Sequence, residues 1–116
     1  MFSEKDVRVR EAIVSARADI ARIIEWTSGK TLADLQSDRL VRYAVERAFM
    51  GLDAAIRDIP SALIAQYGLP AGAVAGFRNA LAHSYDDILD ERVILTIRDD
   101  LPALDAQLAN MLDRLR

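Results

Sequence analysis

Apolar residues recur with the 3.6-residue period of an α-helix along most of this chain, and that pattern constrains its fold more than any other feature. From Val9 the series Ile13, Ala16, Ile20, Ile23 and Ile24 marks one helix face, with Arg10, Arg17 and Arg22 on other sides of the wheel. The spacing predicts a first helix from about Val7 to about Trp26, ended by Ser28-Gly29. A short turn is expected around Thr31 to Asp34, after which Ser37-Asp38 supplies N-cap side chains for a second long helix. That helix carries Val41, Val45, Ala48, Leu52, Ala55 and Ile59 in register, and Pro60 ends or kinks it. Leu40, Phe49 and Ile56 make a second flank apolar, so the helix is either central or buried in an oligomer.

Beyond the Tyr67-Gly68-Leu69-Pro70 break a third helix is expected from Ala71 to about Tyr85. Val93 to Ile97 is β-branched enough to read as a strand. A lone strand has nothing to pair with, so a short helix opened by Asp90 is preferred. Asp99-Asp100 before Leu101-Pro102 reads as an N-cap followed by a first-turn proline, opening a last helix with Leu104, Leu108, Met111, Leu112 and Leu115 inward. Together these segments predict one all-α domain over residues 1–116, a bundle of four to five helices.

Composition narrows the chemistry. Cysteine is absent, which excludes disulfides, thiolate metal sites and thiol catalysis. The single histidine, His83, excludes a multi-histidine metal site within one chain and confines imidazole chemistry to one position. Apolar residues at 52% are enough to build a core, so disorder from low hydrophobicity is excluded. The formal net charge of −3 has the wrong sign for holding nucleic acid by the overall field, leaving local patches as the means. The N-terminus is charged and has no apolar signal core, and no stretch approaches the roughly 18 apolar residues of a membrane span, so a soluble, cytoplasmic protein is expected.

The chemically loaded segment is Gly76-Phe77-Arg78-Asn79-Ala80-Leu81-Ala82-His83-Ser84-Tyr85. On a wheel of about 100° per residue with Arg78 at zero, Asn79 falls near 100°, His83 near 140° and Tyr85 near 340°. Val74, Phe77, Ala80 and Leu81 occupy the opposite, apolar side. Asn79 and His83 are an i,i+4 pair and can touch, whereas Arg78 needs its long side chain, or a neighbouring chain, to meet the imidazole. Spacing alone is equally compatible with a solvated polar face, a histidine near a helix C-terminus and a tyrosine packed with a wet hydroxyl.

Arg78, four residues, His83, one residue, Tyr85 resembles the signature of the HEPN superfamily, in particular its HepT-like branch. Ala44-Val45-Glu46-Arg47 and Gly51-Leu52-Asp53-Ala54-Ala55 are similar to that family's second-helix pattern, with Asp53 where a glutamate is usual. Asp99-Asp100-Leu101-Pro102-Ala103-Leu104 resembles the start of its final helix. A tryptophan common shortly before the motif in this branch is missing.

The resemblance implies a metal-independent RNA endonuclease without cofactors, acting on RNA such as tRNA. It further implies a toxin of a type VII-like toxin–antitoxin system, neutralised by a nucleotidyltransferase antitoxin that adds AMP to the motif tyrosine, Tyr85 here. Arg78, His83 and Asn79 would carry the chemistry. An imidazole serves as acid or base near neutral pH, a guanidinium forks onto phosphate oxygens, and an amide orients either. One histidine is too few for separate acid and base, so a two-fold homodimer that apposes two motif helices is expected. Asp53 either pairs with Arg78 and orients it or stands as a solvated helix residue. The alternative function is a non-catalytic HEPN module that binds a nucleotide or a partner nucleotidyltransferase through the Arg-His face. A third reading is a plain helical interaction domain with a vestigial motif.

Overall fold

The structure is a computed structural model that describes residues 3–76 and 94–115, and among them every regular element is helical. Helix α1 spans Glu4–Thr27, α2 Leu32–Ser37, α3 Arg39–Arg57 and α4 Ser61–Tyr67. Residues 71–76 are helical, and after a π-helical segment at Thr96–Asp100 the chain continues into α5, Leu101–Arg114. The all-α bundle expected from periodicity is the fold.

Helix α1 starts three residues before Val7 because Ser3 and Asp6 form a capping box. The Ser3 hydroxyl accepts from the Asp6 N–H at 3.2 Å, and the Asp6 carboxylate accepts from the Ser3 N–H at 3.2 Å. The expected turn at Thr31 to Asp34 is instead the opening of α2, where Thr31 and Asp34 make a second capping box. The Thr31 N–H, and then its hydroxyl, hold the Asp34 carboxyl below the usual range. Asp38 caps α3 by accepting from the Val41 N–H at 3.2 Å.

Pro60 does end the second long helix, but it also opens α4, a helix that apolar periodicity passes over. Seven residues are too few to show a face, and no residue of α4 is fully buried. Gly68 stops α4 in the left-handed conformation at φ 64°, a C-cap geometry that costs glycine no Cβ clash.

The core lies where α1 packs along α3 and α5. Ile13, Ala16, Ile20 and Ile23 of α1, Phe49, Leu52 and Ile56 of α3, and Leu104, Leu108 and Met111 of α5 are all buried. Phe49 and Ile56 therefore bury their flank of α3 inside this chain, so α3 is central, and of that flank only Leu40 is exposed. Arg17 joins α1 to α5 through a forked pair to Asp105, Nε to Oδ1 at 2.9 Å and Nη2 to Oδ2 at 3.4 Å. Both side chains keep over a third of their surface in water, which limits the pair to under about 1 kcal/mol.

The expected N-cap at Asp100 does not exist. Asp100 has helical backbone angles and its side chain makes no cap hydrogen bond. The helix runs through it, and the Leu101 N–H donates to the Thr96 carbonyl five residues back. Pro102 explains the wider turn. Inside a regular helix its ring would crowd the carbonyl four residues earlier and leave that carbonyl without a donor, and a π turn relieves the clash. The preferred helical reading of the Val93 to Ile97 run holds over the part described, residues 94–97.

Helices α1 and α3 approach closely at Gly51. A Cβ built there would stand 2.5 Å from Asp19 Oδ2, and that carboxylate also pairs with Arg22 at 3.0 Å. Gly51→Ala gains about 1 kcal/mol of helix propensity but must displace Asp19 from Arg22. The expected melting temperature is within a few degrees of wild type. Gly51→Leu should lower stability by about 1–3 kcal/mol, because more than the carboxylate must then move. Thermal denaturation followed by circular dichroism checks both.

Candidate functional site

Arg78, Asn79, His83 and Tyr85 lie outside the described residues. The described chain does show what flanks them in sequence and what α3 offers nearby.

Asp53 sits in the middle of α3 and is only 4% exposed, so it is not a solvated helix residue. A buried carboxylate needs compensation. Arg57, one turn on, supplies part of it from Nη2 to Oδ2 at 3.2 Å, with the guanidinium largely in water, and Asp53 makes a further interaction besides. The 40° offset of an i,i+4 pair places Asp53 beside Phe49 on α3. Phe49 in turn lines a cavity with Val74, which belongs to the helical residues 71–76 that lead directly into Gly76-Phe77-Arg78. Thus the α3 stripe that carries Asp53 faces the element from which the motif continues.

The same stripe extends towards the start of α3. Arg42, Glu46, Phe49 and Asp53 follow the spacing i, i+4, i+7, i+11 and fall within about 60° of one another. Arg42 is half-buried and, like Asp53, engaged. The sequence reading passed over Arg42, although this spacing against Asp53 was visible. Along α3 as a whole, four arginines (Arg39, Arg42, Arg47, Arg57) stand against two carboxylates (Glu46, Asp53). A chain of net charge −3 therefore carries a locally basic helix next to the segment that enters the motif.

On the far side, the last turn of α4 is fixed to α5 by Gln107, whose Nε2 donates to the Tyr67 carbonyl at 3.2 Å. Arg114 adds a cation–π contact, its guanidinium carbon 5.9 Å from the Tyr67 ring centroid. These ties set the position from which Gly68-Leu69-Pro70 enters residues 71–76. Among the described residues no group of three or more His, Asp or Glu side chains is arranged to hold a metal ion, and no helix is long and apolar enough to cross a membrane.

The family model for the HepT-like ribonucleases matches residues 16–111, which takes in α3, the Arg78 to Tyr85 motif and nearly all of α5. The chain belongs to the HepT-like ribonuclease family. That family is part of the HEPN superfamily, so the resemblance read from the motif is the chain's true affiliation. No curated protein and no solved structure matches the chain. Asp53 lies within the matched residues and is buried on the α3 stripe facing residues 71–76.

Proposed function

We propose that this HepT-like chain is the toxin of a toxin–antitoxin pair, a metal-independent endoribonuclease that cuts RNA by attack of a ribose 2′-hydroxyl on the adjacent phosphate. The observation that carries the proposal is the family match over residues 16–111 with Arg78, Asn79, His83 and Tyr85 all present inside it. In this reading His83 takes the 2′-hydroxyl proton or returns one to the leaving 5′-oxygen, Arg78 neutralises the crowded phosphorane, and Asn79 orients phosphate or imidazole. The ends produced are a 2′,3′-cyclic phosphate and a 5′-hydroxyl. Asp53 acts as a positioning residue, and the arginines of α3 supply the local positive field that the whole chain lacks.

Two copies of the motif, brought together in a homodimer, provide separate acid and base. Leu40 at 80%, Tyr43 at 62% and Met50 at 38% exposure leave an apolar strip on α3 in contact with water, which supports self-association. The partner that silences the toxin is a nucleotidyltransferase that joins AMP to the Tyr85 hydroxyl. The added phosphodiester anion then competes with RNA for Arg78.

The test is incubation of the purified protein with tRNA and structured RNAs in excess chelator. Cleavage that leaves cyclic phosphate ends is expected, and intact RNA across the set would refute the assignment. Mass spectrometry after co-expression with a small nucleotidyltransferase antitoxin should find AMP on Tyr85. A Tyr85→Phe protein that remains fully neutralised would show that modification is not the switch.

A further inference from the structure

A second cleft lies at the end of the bundle where α1 gives way to α2, between that turn and the π-to-α5 segment. Its volume of about 280 Å³ has room for one ribose or heterocycle. Ile24, Ile94, Ile97 and Pro102 give it apolar walls, and Lys30 and Arg98 line it with two cations. These two residues stand far apart in sequence and are drawn together by a hydrogen bond, Arg98 Nη2 donating to the Lys30 carbonyl at 3.4 Å. Among the described residues neither makes an ion pair, and no acidic side chain lines the cleft. The carboxylate whose field Lys30 does reach, Asp34, is held in its capping box by Thr31.

An apolar cleft bordered by two cations suits an anion that is attached to a ring. Single-stranded RNA has that composition, because each phosphodiester joins a ribose and a base with an apolar face. Arg98 offers a planar fork and Lys30 a point charge, so the two can meet one phosphate from different sides. Contacts of this kind hold a strand in register without reading its sequence. The location fits. Thr96, Asp100 and Leu101 line the cavity shared with Val74, whereas Ile97, Arg98 and Pro102 of the same helical stretch line this cleft. One helix diameter, about 10 Å, therefore separates it from residues 71–76, which lead into Arg78. A strand of a few nucleotides spans that distance. Helices α1 and α3 run antiparallel, with Gly51 against Asp19 and Asp58 beside Arg8, so Arg39 at the start of α3 adds positive charge at this same end.

We infer that this cleft is a positioning subsite for the RNA strand, in which Lys30 and Arg98 hold one phosphodiester a short way from the bond that is cut. Ile24, Ile94, Ile97 and Pro102 pack against the adjoining sugar or base. The inference takes its ligand from the ribonuclease reading above, and it answers a net charge of −3 with a local pair of cations. Lys30 and Arg98 are positioning residues and take no part in proton transfer.

The test uses the full chain and a single-stranded RNA methylated at every 2′-oxygen, which lacks the attacking hydroxyl and is bound without being cut. Fluorescence anisotropy gives Kd across a range of salt. Lys30→Gln combined with Arg98→Gln should weaken binding about ten-fold at low salt and reduce the slope of log Kd against log salt by about 0.7, the value for one phosphate of a single strand. On cleavable RNA the double variant should raise KM by a similar factor with kcat held, and Lys30→Arg should behave as wild type. Arg8→Gln, which removes the same charge at the far end of α1, should change neither constant; circular dichroism melts check that each variant folds. Unchanged affinity and slope in the double variant, an equal loss in Arg8→Gln, or a fall in kcat with KM unchanged would overturn the inference. AMP bound as tightly as the RNA would also overturn it, by assigning the cleft to a free nucleotide. If the double variant loses binding but even wild type cuts no RNA, the ribonuclease reading falls and the strand site stands. Cleavage by wild type that is indifferent to Lys30 and Arg98 has the reverse meaning.

Discussion

Replacing His83 with alanine is expected to reduce chelator-resistant RNA cleavage by a factor on the order of 10²–10⁴, the range that general acid–base groups contribute. The reason lies in the inventory: this is the only imidazole in the chain, and no thiol is present to take over proton transfer. Arg78→Ala should cost a comparable factor, because nothing else within the motif carries positive charge onto the phosphorane. Arg78→Lys should recover only part of it, since an ammonium restores charge without the planar fork. The measurement is a single-turnover rate on one RNA, with the circular dichroism spectrum and melting temperature of each variant beside it. A His83→Ala protein that cuts at the wild-type rate would remove the imidazole from the mechanism. Mixed dimers sharpen the test. If acid and base come from different protomers, His83→Ala chains mixed with wild type should fall in rate as wild-type homodimers are diluted out, whereas two independent sites would lose activity only in proportion.

The second large effect concerns the scaffold. Phe49→Ala should destabilise the fold by about 3–5 kcal/mol, since Phe49 is completely buried on α3 and its loss removes apolar burial and leaves a void. Native domains are stable by only about 5–15 kcal/mol, so this one change takes a large share. The site makes the cost hard to relieve by collapse, because the ring already borders the 300 Å³ cavity and its removal joins new empty volume to old. Urea denaturation should show a lower midpoint with little change in slope. The contrasting control is Ile24→Ala on α1, where 37% exposure predicts a cost well below that of Phe49. Equal losses at the two positions would argue that α3 is not the centre of the core.

Much of this fold was legible from periodicity. The stripe from Val9 to Ile23 is the buried face of α1, and Leu104, Leu108 and Met111 are the buried face of α5. What periodicity missed was short or depended on partners. Helix α4 has seven residues and no buried face, so it leaves no period to read. The start of α1 was misplaced by three residues because capping by Ser3 and Asp6 is a hydrogen-bond signal, not an apolar one. Asp100 before a proline looked like a cap. The local signal for a helix start was real, but the chain before it was already helical, and a π turn made room for the proline.

The site divides in a similar way. Arg78, Asn79, His83 and Tyr85 were readable as a spacing, and the family match over residues 16–111 contains them. Asp53 was readable only as a choice between an orienting carboxylate and a solvated one. Burial to 4% exposure and the Arg57 pair exclude the solvated one. Arg42 was readable from its spacing against Asp53 but was passed over, whereas the cavity that Thr96 lines had no sequence signature, since it exists only where α3, residues 71–76 and α5 converge.

The sequence by itself determined the helical class and the core faces of the long helices, because these follow from side-chain type and from a repeat of 3.6 residues. Only the tertiary structure decided which flank of α3 is buried, that Asp53 is desolvated, and that a π turn leaves Thr96 and Asp100 lining one cavity. Burial is a property of what surrounds a residue, and those surroundings arrive from parts of the chain that are distant in sequence.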